Sequence, residues 1–190
     1  MKIFCVRLVQ YSAGGLLLLL LTACPSVLPQ PQADVTRHFT LASPIKSAAV
    51  TDGTRVLPVQ VAGYLRSRAM AVRISENEVI YLDEVVWAEP LADGITQTLR
   101  NRLSVVASDA DVSVQIQRCE LDRSAGNTVQ LIATYSITSG GSAGLVTRRG
   151  LFTASARTWD GKDHGKLVAQ LREAVDELAD RLVSQLAEKR

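Results

Sequence analysis

The sequence is poor in the groups on which most enzymes and nucleic-acid binders rely. It has two histidines, His38 and His164, in separate segments. Neither belongs to a paired-histidine or His/Cys spacing, so no metal-ligand motif is present. There is no phosphate loop and no dinucleotide fingerprint. Aromatic residues make up 5% of the chain, too few for a platform that stacks sugars or single-stranded bases. Cysteines are few: Cys5, Cys24 and Cys119. Charge of one sign is not in excess either. Lys and Arg number 21 against 19 for Asp and Glu, and without Lys2 and Arg7 the two signs balance. No argument for a nucleic-acid or anionic-lipid footprint survives that balance.

What is present begins with Leu16 to Cys24, LLLLLLTAC. Lys2 and Arg7 precede it, giving a basic n-region, an apolar h-region and a small residue at a cleavage point. The run Ala13 to Ala23 is too short for a permanent span, which needs about 20 apolar residues. Leu21-Thr22-Ala23-Cys24 resembles a bacterial lipobox. That resemblance implies acylation of Cys24 by fatty acid, cleavage before it, and residues 1–23 as signal peptide. Residues 24–36, with Pro25, Pro29 and Pro31, read as an extended tether. Pro25 stands where Asp favours inner-membrane retention in enterobacterial lipoproteins, which points to the outer membrane. Residues 37–190 then form one domain, long enough for a proper core. In the mature chain Cys119 has no cysteine left to pair with internally. It reads as a small buried hydrophobe, with a catalytic thiol or an intermolecular bridge as alternatives.

Along that domain, Arg37 to Ser43 is a short predicted strand with His38 exposed. Thr54 to Ala62 is a second, interrupted at Pro58. Arg73–Ser75 and Glu78–Leu82 form a predicted hairpin turning at Glu76-Asn77. Asp83 to Ser104 is predicted helical, with Pro90 in a first turn, Leu91, Ile95, Leu99 and Leu103 on one stripe, and Trp87 folded onto its start. Asp111–Leu121, Val129–Ile137 and Leu145–Trp159 form a predicted antiparallel meander. Arg118 marks a bulge or a strand end, and Ser139–Gly144 is a loop whose Gly140-Gly141 is hairpin punctuation. In the last of these strands Val146, Phe152, Ala154 and Ala156 share one side. Lys166–Lys189 is a long helix with an apolar stripe from Leu167 to Leu186.

Tyr64 to Arg73, followed by Trp87-Ala88-Glu89-Pro90-Leu91, resembles the ABC-type transport auxiliary lipoproteins (the PqiC type). Their pattern is a valine-rich strand, a Tyr-Leu pair, a downstream Arg, and a Trp-Ala-Glu-Pro-Leu block opening a helix. Family members often carry Pro before that Tyr and Arg before that Trp; here Gly63 and Val86 stand there. The resemblance implies an α/β fold with a mixed sheet flanked by helices, similar in shape to the TolB amino-terminal domain. It also implies no catalysis, no cofactor, and membership of an MCE-type lipid transport system. The partner would be an MCE-domain protein met at the outer membrane, and a closed homo-oligomeric ring is compatible with such a partner.

The expected function is therefore a docking lipoprotein. Tyr64, Leu65, Arg68, Met70 and Arg73 are the expected partner-binding residues, since exposed aromatic, Met and Arg side chains favour interfaces. The Trp87–Leu91 block is read as structural. Two alternatives stand beside this: a carrier holding an acyl chain in an apolar cleft, and a hydrolase using Cys119 or the Asp83, Glu84 and Glu89 carboxylates.

Overall fold

The sheet is organised around β6 (Ala110–Asp122), whose two sides receive different partners. In this computed structural model, residues 36–42, 53–141 and 144–188 are described. They fall within one compact unit, Val35–Arg190. The expected signal peptide, Cys24 and tether lie outside the described residues.

Nine strands and two α-helices occur among the described residues. The strands are β1 (Arg37–Phe39), β2 (Arg55–Val56), β3 (Gln60–Val61), β4 (Ala69–Ser75), β5 (Glu78–Trp87), β6, β7 (Thr128–Gly141), β8 (Gly144–Thr153) and β9 (Arg157–Thr158). The helices are α1 (Leu91–Leu103) and α2 (His164–Ala187). A 3₁₀ turn spans Gly63–Arg66. The main strand order is β1-β5-β4-β6-β7-β8. β6, β7 and β8 are antiparallel, the expected meander, while β4 meets β6 in parallel. The sheet is thus mixed, as expected.

Pro58 breaks one strand into β2 and β3. Both pair in parallel with β6, at Arg55↔Asp111 and Gln60↔Gln115. The break is held by α1: the Thr96 hydroxyl accepts from the Val59 amide at 2.9 Å and donates to Ala92 O at 2.7 Å. Val112, Val114 and Ile116 of β6, Leu131, Ala133 and Ile137 of β7, and the stripes of both helices are all buried. The helices share one face of the sheet, joined at the surface by Arg102 of α1 with Asp180 and Asp176 of α2.

Several expectations need correction. Asp83–Trp87 is not helical; it continues β5, pairing with β1 at Arg37↔Val85 and Phe39↔Trp87. Val85 and Trp87 point into the core in strand alternation. α1 starts at Leu91, so Pro90 is its N-cap residue and not part of its first turn. Ser139 to Gly141 is strand, paired down to Gly141↔Gly144. The third meander strand ends at Thr153, and a separate β9 pairs with Thr128 and Val129. Val146, although in phase with Phe152, is 51% exposed near the hairpin tip, beyond the reach of the helices. The long helix begins at His164, two residues earlier than expected. Asp163 caps it, its side chain accepting from the Gly165 amide at 2.8 Å.

Candidate functional site

The face of the sheet turned away from the helices carries the charged cluster of the molecule. It exists because of one extra residue. Up to Ile116, the even positions of β6 face the helices. The register slips between Ile116 and Arg118, so that Arg118 faces Ile132 and Cys119 faces Leu131. After this bulge the odd positions, Cys119 and Leu121, are buried against the core, and Arg118, Glu120 and Asp122 turn to the open face.

Glu120 lies at the centre and is fully buried. Its Oε1 accepts from Arg73 Nε at 2.6 Å and from Arg118 Nε at 2.8 Å. Its Oε2 is buried without a hydrogen-bond partner among the described residues. Arg118 Nη2 also donates to Asp122 Oδ2 at 2.7 Å, and Arg73 Nη1 donates to Glu76 O at 2.9 Å. Burial pushes the Asp122 carboxyl upward. The Ser124 hydroxyl, the Arg118 guanidinium and the Ala125 amide outweigh it and hold Asp122 below the ordinary carboxylate range.

Tyr64 closes this cluster from the 3₁₀ turn. Its ring centroid is 5.9 Å from the Arg73 guanidinium carbon, and its hydroxyl donates to Gln117 O at 3.2 Å. Gln117 is the bulge residue, so the tyrosine satisfies the carbonyl that the bulge frees from the ladder. Burial, together with the nearby Glu120 carboxylate, keeps the Tyr64 phenol protonated well above its usual pKa. Tyr81, itself 41% exposed, donates to Tyr64 O at 3.0 Å. The result is a rigid patch of two tyrosines and two compensated arginines. It suits recognition through its surface, and its two positive and two negative groups give it no net charge.

Of the five expected contact residues, the structure brings Tyr64 and Arg73 together here. Leu65 and Met70 are core residues, 3% and 1% exposed, so the expectation that they are exposed is corrected. Strand alternation turns Met70 inward, and the 3₁₀ turn does the same to Leu65. Arg68 is exposed and serves the Trp87 block instead. Its Nη2 donates to Ala88 O at 2.7 Å, and its carbonyl accepts from the Trp87 amide at 2.7 Å. The Ala88 amide donates to Phe39 O at 2.8 Å, and Leu91 is buried. Glu89 folds back over the first turn of α1: a Cβ at Gly94 would lie 3.0 Å from its Oε1. The block therefore joins β1, β4, β5 and α1. Glu120 and Asp122 went unnoticed in the sequence, and Arg118 was read only as a break in the alternation; the signal that could have found the cluster is a bulge that puts three charged residues on one face.

The groups considered for catalysis do not assemble. Cys119 is buried on the helix side of the sheet, and burial pushes its thiol up to about 12, far from a thiolate at neutral pH. Asp83 and Glu84 are exposed along β5. Gly140-Gly141-Ser142-Ala143-Gly144 has the letter pattern G-x-S-x-G, but it joins two antiparallel strands, whereas the nucleophile elbow joins a strand to a helix. The space between sheet and helices, where an acyl cleft was considered, is filled by fully buried side chains such as Leu99, Ile116, Leu131 and Leu178. One surface depression, of about 430 Å³, is lined by Arg73, Glu76, Arg118, Asp122 and Ser124.

Comparison with known proteins follows the same outline. The family described as "ABC-type transport auxiliary lipoprotein component" matches residues 39–183. No curated protein matches the chain. Among solved structures, one described only as an uncharacterized protein aligns with a TM-score of 0.61 at 15% identity, over 79% of this chain and 97% of that one. A protein from Xanthomonas campestris, of the DUF330 family, aligns with a TM-score of 0.60 at 17% identity, over 87% and 96%. At such identities the two share the fold.

Proposed function

The chain belongs to the ABC-type transport auxiliary lipoprotein family, and from that premise we propose that it is a non-catalytic subunit of an MCE-type intermembrane lipid transport system. In this reading it sits at the periplasmic face of the outer membrane, held by acylated Cys24, and docks the transport assembly there. The family match over most of the domain is the observation that carries the reading. The architecture supports it. Among the described residues no helix is long and apolar enough to cross a membrane; in this reading acylated Cys24 supplies the attachment. A packed interior leaves surface recognition as the work of the domain. The Tyr64–Arg73–Glu120–Arg118 patch is the proposed docking surface, with Tyr81 at its rim. The filled space between sheet and helices favours docking over carriage of an acyl chain within this domain.

The test is affinity purification of the tagged full-length chain from detergent-solubilised membranes. An MCE-domain protein should co-purify, and Tyr64→Ala with Tyr81→Ala should reduce its recovery. Purification without any MCE-domain protein would contradict the assignment.

A further inference from the structure

A second surface feature lies at the far edge of the sheet. β8 is ten residues long and pairs with β7 without a register shift. Among the described residues no strand pairs with its other side. Edge strands of soluble domains are ordinarily kept short, bulged or interrupted by proline. β8 has none of these three features; of the other protections it carries charge, at Arg148 and Arg149, and it exposes Leu145 at 80%, Val146 at 51% and Leu151 at 66%.

Two arginines occupy its middle. Arg148 points toward the helices and donates to Gln185 O at 2.6 Å. Arg149 points to the open face beside Leu151 and lines a depression of about 420 Å³ with Ser113, Gln115 and Ser136. Among the described residues Arg149 has no carboxylate partner.

These charges choose the occupant. A second copy pairing antiparallel along β8 must match residues of like facing. The two registers with the fullest overlap place Arg149 opposite Arg149, or Arg148 opposite Arg148. Like charges directly opposite destabilise a strand pair, whereas opposite charges favour it. We propose that β8 accepts an extended segment of another protein as an added strand, with a carboxylate opposite Arg149 and apolar side chains opposite Leu145 and Leu151. Backbone pairing along the open edge supplies affinity, and the Arg149–carboxylate pair fixes the register. The inference rests on the docking reading for the compartment in which the partner is met, and on β8 alone for the partner's chemistry.

The test titrates the full-length lipoprotein in detergent with two synthetic ten-residue strand peptides. They share apolar positions and differ in carrying Glu or Lys opposite Arg149. The Glu peptide should bind roughly five-fold more tightly. Arg149→Glu should reverse the order, and N-methylation of alternate peptide amides should abolish binding. Equal affinities, no binding of either peptide at millimolar concentration, or an unreversed order would overturn the proposal. So would a dimer in sedimentation that the peptide dissolves, which would assign the edge to a second copy. Peptide binding that persists while no MCE-domain protein co-purifies with the chain would overturn the docking reading and leave this inference intact.

Discussion

The guanidinium of Arg73 meets Glu120 at 2.6 Å across the β4–β6 pair, and that carboxylate has no exposure to solvent. A buried charge tolerates the loss of a partner poorly. Arg73→Met should therefore destabilise the domain by about 3 kcal/mol, the range for breaking a buried pair by removing one side. Urea unfolding followed by circular dichroism measures this. Replacing Arg73 and Glu120 together by Met and Leu should cost clearly less than Arg73→Met alone, because no buried carboxylate is then left with Arg118 as its one remaining partner.

Gly150 lies beneath the ring of Tyr135 on the neighbouring strand. A Cβ there would clash with the Tyr135 Cζ and Oη. Gly150→Ala should force the ring aside and cost about 1 kcal/mol. In a Tyr135→Ser background the same substitution should be close to neutral. Thermal unfolding of the four proteins closes the cycle; equal costs in both backgrounds would contradict the contact.

Cys119 is 3% exposed with its thiol pushed up to about 12. It should resist a thiol reagent at pH 8 in the folded protein and react fully in denaturant. In the proposed mature lipoprotein the Cys24 thiol is acylated, so Cys119 is its one free thiol and the measurement is unambiguous. Rapid labelling under native conditions would show that the β6–β7 pair opens.

Asp122 and Glu177 are both held below the ordinary carboxylate range. Burial opposes this at each. At Glu177 the Ser155 hydroxyl and amide and the Arg157 guanidinium overcome it. The unfolded chain therefore binds protons first as pH falls. The stability these groups contribute is present at neutral pH and is lost below about pH 4, through the unfolded and then the folded titrations. Unfolding midpoints measured from pH 7 down to pH 3 should fall on the acid side, and Asp122→Asn should flatten that fall. A midpoint independent of pH would contradict it.

Local pattern carried much of this fold into view. Arg118 interrupts the alternation of β6, and the bulge is there. The four-residue step from Leu91 to Leu103 marks α1, and the leucine stripe marks α2, though not its Asp163 cap. The second half of β5 escaped because Asp83 to Trp87 runs on directly toward a true helical stripe. What makes Val85 to Trp87 a strand is β1, nearly fifty residues away in sequence. The charged cluster was half legible. Tyr64 and Arg73 stand close together in the chain, but Glu120 joins Arg73 across 47 positions, and only strand pairing brings them together. Leu65 and Met70 looked exposed because arginines flank them; the 3₁₀ turn hides Leu65 and strand alternation hides Met70.

The account rests on a lipid anchor at Cys24 on a domain that works by recognition. Mass spectrometry of the mature amino-terminal peptide, from outer-membrane fractions separated on a density gradient, tests it most directly. The account predicts that the chain starts at Cys24, carries fatty acyl groups there, and bands with the outer membrane. An unacylated first residue on protein recovered in the soluble periplasmic fraction would contradict it.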